Sequence, residues 1–160
     1  MNLKNRIFWA AAVVSVILDQ LSKYLVLGNF ELRETLPLWQ NVFHLTYVTN
    51  YGAAFSLFSN GGSWLRWLSL GVSLGLMALA WLGPNLNHFE QLGYGFILGG
   101  ALGNGIDRFV FGYVVDFLDF RLIQFPVFNL ADTFINLGIV CLLIASFRPK
   151  SRSSNSSKDR

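Results

Sequence analysis

Cysteine occurs once in this 160-residue chain, at Cys141. No intramolecular disulfide and no cysteine-based zinc site is therefore available, and Cys141, deep in an apolar run, is expected to be a small core residue. Histidine occurs twice, at His44 and His88, and no His-Glu-x-x-His motif is present, which removes a zinc protease of that type. No serine stands in a Gly-x-Ser-x-Gly turn, and no glycine run ends in the Gly-Lys-Ser/Thr of a phosphate loop. Neither a metal nor a cofactor is expected. Charge is scarce as well: 13% of residues are Asp, Glu, Lys or Arg, against 53% hydrophobic and 16% aromatic. With a mean hydropathy of +0.46, the chain is too apolar for an ordinary soluble domain and reads as an integral membrane protein. The formal net charge is +3, but the basic residues gather at the two termini and form no stripe, so nucleic acid is not an expected partner.

What is present divides into four apolar stretches. The first, residues 7–27, follows Lys4 and Arg6 and resembles a secretory signal peptide at its start. No small-x-small cleavage site follows, however, and the run resumes after Asp19-Gln-Leu-Ser-Lys23, so it is read as an uncleaved span of about twenty residues. Asp19 and Lys23 are four apart and share a helix face, where they can pair. A second span is expected over 65–82, with Trp64, Trp67 and Trp81 as interfacial aromatics near its ends. The third, 89–106, carries Gly95, Gly99 and Gly103 at four-residue intervals, a spacing that lets helix backbones approach closely in a membrane. Asn104, Asp107 and Arg108 follow on one face. For Asn104 and Arg108, a purely structural role and substrate positioning both remain open. The fourth span is expected over 127–147, with Asn129, Asp132 and Asn136 as a polar stripe facing the bundle interior. The tail 148–160 is basic and serine-rich, and disorder is expected there. Basic residues at both ends put both termini in the cytoplasm, which requires an even number of spans. The loop near Asn85 lacks the basic residues that this topology favours.

Two outer segments remain, 28–63 and 109–126. In the first, Phe43, Leu45 and Tyr47 alternate with His44 and Thr46, the pattern of a strand, and a small sheet on the membrane surface follows. His44 is expected on its surface. Asn50-Tyr-Gly52-Ala-Ala-Phe55 supplies a turn where backbone can approach a ligand, because Gly52 has no side chain. In the second segment, Asp119 and Arg121 read as solvated charges. Asp116 is different: it lies in Gly112-Tyr-Val-Val-Asp116-Phe, and like Asp132 it is an acid in strongly apolar surroundings. Ionisable groups beside or within a span are costly, so their retention points to a task. Two carboxylates in one apolar site can share a proton, leaving one as base and the other as acid, which is aspartic-protease chemistry. The rival reading is a small ion- or proton-coupled membrane transporter or channel. It predicts polar residues through the full membrane depth, whereas Asn50, Asn104, Asp116 and Asp132 gather towards one face.

Five blocks carry a resemblance: Asp19-Gln-Leu-Ser-Lys23, Thr49-Asn50-Tyr-Gly52-Ala-Ala-Phe55-Ser, Gly99-Gly-Ala-Leu-Gly-Asn104-Gly-Ile-Asp107-Arg108, Gly112-Tyr-Val-Val-Asp116-Phe and Pro126-Val-Phe-Asn129-Leu-Ala-Asp132. In this order they resemble prolipoprotein signal peptidase (signal peptidase II). The resemblance implies a mainly α integral membrane fold, with four transmembrane helices and a small extracytoplasmic β-rich cradle with a short helix. It implies a monomeric aspartic endopeptidase of the bacterial inner membrane, surrounded by membrane lipids. Its substrates would be lipid-modified prolipoproteins, cut before the cysteine that carries diacylglycerol. Asp116 and Asp132 match the catalytic pair; Asn50, Gly52, Asn104, Arg108 and Asn129 match positions near the active site; Asp19 and Lys23 match the first-span motif. Asp107 and Asn136 are read as structural polar residues. Gly105 departs from the larger aliphatic residue common at its position.

Overall fold

The computed structural model describes residues 4–52, 64–123 and 125–147. Four helices and a three-stranded sheet appear in the order α1 (Arg6–Asn29), β1 (Thr35–Trp39), β2 (Phe43–Asn50), α2 (Leu65–Leu82), α3 (His88–Val110), β3 (Val114–Phe120) and α4 (Leu130–Phe147). Apolar side chains such as Val13, Leu21, Leu74, Val140 and Leu143 are exposed, while Ser15, Asp19, Lys23, Asn104 and Asp107 are buried. This inversion of the usual pattern suits a bundle whose solvent is hydrocarbon. Among the described residues, α1, α2 and α4 are long and apolar enough to cross a membrane. The third expected span, α3, has the length for it but is not among them. Its composition is diluted by glycine and by Glu90, Asn104, Asp107 and Arg108.

α3 is the element against which α1, α2 and α4 pack. Its glycines explain how. A Cβ at Gly95 would stand 2.9 Å from the Cβ of Ala11, and one at Gly99 would meet the carbonyl of Ala12 at 2.9 Å, so this stripe seats α1. A second stripe seats α4: Cβ atoms at Gly93 and Gly138 would each meet the other's carbonyl, at 2.9 and 2.6 Å. Close backbone approach of this kind replaces the hydrophobic drive that a bilayer does not supply. At the opposite end from the sheet, Asn5 closes the bundle by donating from Nδ2 to the carbonyl of Ala80 and accepting from Leu86 N. α3 opens with a capping box between Asn87 and Glu90.

The sheet has the order β1-β2-β3 and is antiparallel throughout. Val48 pairs with Asp116 and Asn50 with Val114 across the β2–β3 ladder, after a register shift between Leu45 and Val48. Tyr47, Val115 and Phe117 form its core with Val26 of α1. Gly112, at φ 81°, makes the turn from α3 into β3 that a side chain would strain. Phe128 then bridges back to Leu118, its carbonyl accepting from Phe117 N and Leu118 N. Residues 127–129 are therefore extended backbone beside the sheet, and α4 starts at Leu130, three residues later than expected.

Two surface assignments are corrected by the fold. His44 is buried in β2, with neither ring nitrogen hydrogen-bonded among the described residues. It pairs across the ladder with Asp119, which is also buried; there Asp119 accepts from Thr46 Oγ1 at 2.7 Å and from Arg121 Nε at 2.9 Å. Alternation within one strand does not reveal that β3, far along the chain, pairs with β2 and sets Asp119 opposite His44. The short helix expected beside the sheet has no described counterpart beyond one 3-10 turn, Arg121–Ile123. The turn residues Ala53 to Phe55 and the tail from Arg148 lie outside the described residues.

Candidate active site

Asp116 and Asp132 line one cavity of about 1160 Å³, between the sheet and the adjoining ends of α2, α3 and α4. Asp116 comes from the middle of β3 and is 1% exposed. Both its oxygens accept from amides: Oδ1 from Asn129 Nδ2 at 2.7 Å and Oδ2 from Asn50 Nδ2 at 3.0 Å. Asp132 sits in the first turn of α4, where the positive end of the helix dipole favours a carboxylate. Its Oδ1 accepts from Asn104 Nδ2 at 2.8 Å. Asn129 joins the two acids. Its Oδ1 accepts from the backbone N of Asp132 at 3.0 Å, as an N-cap does, while its Nδ2 reaches Asp116. The fold-back of Phe128 onto Leu118 is what brings this asparagine to β3.

The asparagines are themselves held. Asn104 Oδ1 accepts from Lys23 Nζ and from Asn129 Nδ2, both at 3.0 Å, which fixes the flip of its amide so that Nδ2 faces Asp132. Lys23, 2% exposed, lies 2.9 Å from both Asp19 Oδ2 and Asp107 Oδ2. The pairing of Asp19 with Lys23 across one helical turn is therefore present, and a second acid shares it. Asp19 Oδ1 also accepts from Ala131 N at 2.9 Å, so an acid of α1 satisfies one of the free N–H groups at the start of α4. The same Asp107 Oδ2 also accepts from Val115 N at 3.0 Å, tying α3 to β3. Gln20 completes the cluster, donating to Asp107 Oδ1 at 3.0 Å and to the carbonyl of Gly103 at 3.2 Å. A buried charge cluster of this kind is saturated with partners, as it must be to tolerate burial.

Burial raises the Asp116 carboxyl to about 7, with the nearby charge of Asp132 adding to the effect and the amides of Asn50 and Asn129 opposing it. Arg108 faces the same cavity, donating to the carbonyl of Gly52 at 3.2 Å. Gly52 is buried, and its N–H donates to Asn50 Oδ1 at 2.9 Å, closing a tight turn after β2. Asn136 lies one turn beyond Asp132, on the cavity wall and exposed.

The structure thus gathers Asn50, Gly52, Asn104, Arg108, Asp116, Asn129 and Asp132 at one end of the bundle, with Asp19, Lys23 and Asp107 directly behind Asn104. Asn50 and Asn129 direct their amides to Asp116. Asn136 shares the cavity wall with Asp132 but is exposed. Gln20 was missed as a member, although a polar residue beside Asp19 in an apolar run was a visible signal. Ser69 of α2, near Arg108 Nη1 at 3.5 Å and lining the cavity, carried no such signal.

This arrangement is similar to that of known proteins over nearly its whole length. The pattern of the family described as signal peptidase (SPase) II matches residues 11–148. The lipoprotein signal peptidase of a Cyanothece species is 70% identical over 152 residues, covering 93% of this chain and 88% of that protein. That of Gloeothece citriformis is 67% identical, covering 96% of each. A solved structure described as a bacterial membrane enzyme at 2.3 Å resolution is 28% identical, with a TM-score of 0.79 over 94% of this chain and 92% of that one. A second, at 1.9 Å, is 29% identical with a TM-score of 0.77, over 88% and 92%.

Proposed function

This chain belongs to the signal peptidase II family, a family of bacterial membrane proteases, and from that premise we propose that it is an aspartic endopeptidase acting on lipid-modified prolipoproteins. It removes the signal peptide by cutting before the cysteine that carries diacylglycerol. The observation that carries this reading is the placing of buried Asp116 and half-buried Asp132 on one cavity, each oriented by asparagine amides and coupled through Asn129.

In this reading a water between the two acids is activated by the ionised one while the protonated one polarises the scissile carbonyl. The shared proton is assigned to Asp116, whose carboxyl burial lifts to about 7, so that a substantial share of molecules carries it at neutral pH. Asp132 is the base, with Asn104 and the α4 N-terminus favouring its negative charge. Asp116 then donates to the developing oxyanion, and no covalent acyl-enzyme forms. Because Asn50 and Asn129 already fill the lone pairs of Asp116 that face the protein, their part is to aim the carboxyl; Arg108 and the Gly52 turn are left to meet the peptide backbone. Four spans, with α3 as the third, put both termini on the cytoplasmic side and the site near the outer face of the inner membrane. There acyl chains stay in the bilayer while the peptide bond meets water. The enzyme works as a monomer without cofactor.

The test is cleavage of a diacylglyceryl-modified prolipoprotein in detergent by wild type, Asp116→Asn and Asp132→Asn. Wild type cuts before the lipidated cysteine, and each folded variant loses at least about a hundredfold in rate. Folded variants that still cut would show the acids to be structural.

A further inference from the structure

The cavity does not end at the two acids. It runs on along α3 and α4 past Leu68 and Val72 of α2, Ile97 of α3 and Ile135 of α4, and in this apolar stretch the polar side chain of Asn136 stands on the wall. α4 is the most apolar of the candidate spans, with a hydropathy of 2.0. Asn136 is exposed, and its side chain makes no hydrogen bond to any described residue. Every other polar residue of the polar stripe on α4 is spoken for: Asn129 caps the helix and Asp132 accepts from Asn104. On a helix read as crossing the membrane, a side-chain amide without a partner among apolar walls is costly. It is tolerated best where something enters that can take up its N–H groups.

Asn136 follows Asp132 by one helical turn, about 6 Å along the axis. A group bonded there belongs to the part of the substrate that lies next to the scissile bond and points into the membrane. On a diacylglyceryl cysteine that part is the glycerol linkage. Its only strong acceptors are the ester carbonyls, which lie a thioether and a glycerol carbon or two away from the peptide. The apolar walls beyond suit the acyl chains themselves.

We propose that Asn136 is the donor that receives a glyceryl ester carbonyl of the substrate, so that this part of the cavity distinguishes ester-linked from ether-linked lipid. This inference rests on the reaction proposed above. Asn136→Leu removes the donor and presents an apolar side chain to an apolar wall; Asn136→Ala does the same without added bulk.

The experiment measures kcat and KM of wild type, Asn136→Leu and Asn136→Ala on two prolipoprotein substrates that differ only in carrying ester-linked diacylglyceryl or ether-linked dialkylglyceryl groups. Thermal unfolding in detergent verifies that all three proteins are folded. Wild type is expected to bind the ester substrate about five- to tenfold better than the ether substrate by KM, the worth of one hydrogen bond in an apolar site. Both variants should lose that preference while kcat stays within about twofold. A variant that weakens both substrates equally would assign Asn136 to the signal peptide or to the fold and overturn the inference, and unchanged constants on both would overturn it too. If wild type cuts neither substrate, the failure lies with the proposed reaction and shows as such.

Discussion

Replacing Asp116 by Asn should stabilise the protein at alkaline pH while removing its activity, and the size of the effect follows from its surroundings. The carboxyl is 1% exposed, and its folded-state value is raised from 3.8 to about 7. The folded chain therefore binds this proton more tightly than the unfolded chain does. The contribution of Asp116 to stability is full below pH 4 and is lost as the pH rises through about 7. A rise of about three units corresponds to on the order of 4 kcal/mol at pH 8 and above. Asn does not ionise and escapes this cost. It has a cost of its own, because both Asp116 oxygens accept from amide N–H groups, and the Nδ2 of Asn would face one of these donors with another donor, losing about 1–3 kcal/mol. The net gain is about 1–3 kcal/mol at pH 8, or several degrees in Tm for a chain of this size. Near pH 4 the advantage should vanish or reverse. The assay is thermal unfolding of wild type and Asp116→Asn in the same detergent from pH 4 to pH 9, followed by tryptophan fluorescence. The decisive quantity is the change of the Tm difference with pH. A difference that stays flat across this range would refute the claim that burial holds the proton on Asp116.

Further outcomes follow from the same network. If Asp116 must be protonated to act, kcat/KM should fall as the pH rises through about 7; a pH–rate profile that stays level to pH 9 would assign the acid role elsewhere. Lys23→Met leaves Asp19 and Asp107 as unpaired buried acids and should destabilise by about 3–5 kcal/mol. Adding Asp19→Asn should restore part of that loss, and a double variant no more stable than Lys23→Met alone in a melting experiment would argue against the coupling. Gly100→Ala would press a Cβ onto the carbonyl of Ala131 and to 2.6 Å from Ile135 Cγ1, so a loss of about 1–3 kcal/mol is expected by overpacking. Gly75→Ala meets nothing within 4 Å and should gain up to about 1 kcal/mol, which a parallel melt can check.

The sequence alone determined what depends on short-range periodicity. A helix repeats every 3.6 residues, so the apolar runs, the Gly95–Gly99–Gly103 stripe and the pairing of Asp19 with Lys23 are legible from spacing, and α2 falls at Leu65–Leu82 as its hydropathy predicts. The acids themselves were visible because a carboxylate in an apolar stretch is expensive. What spacing cannot carry is the choice of partner far along the chain. Lys23 bonds Asn104 across 81 residues and Asp19 caps α4 across 112. Neither contact leaves a local pattern, because each group only needs a complementary charge or dipole and several candidates are equal in sequence. The late start of α4 and the burial of His44 and Asp119 have the same origin. Ahead of α4 the backbone of β3 takes up the hydrogen bonds of Phe128, and at Asp119 the side chains of Thr46 and Arg121 supply bonds that a single stretch would take from water. The tertiary structure decided those, since hydrogen bonds buried in an apolar bundle must be satisfied by whatever the packing brings within about 3 Å.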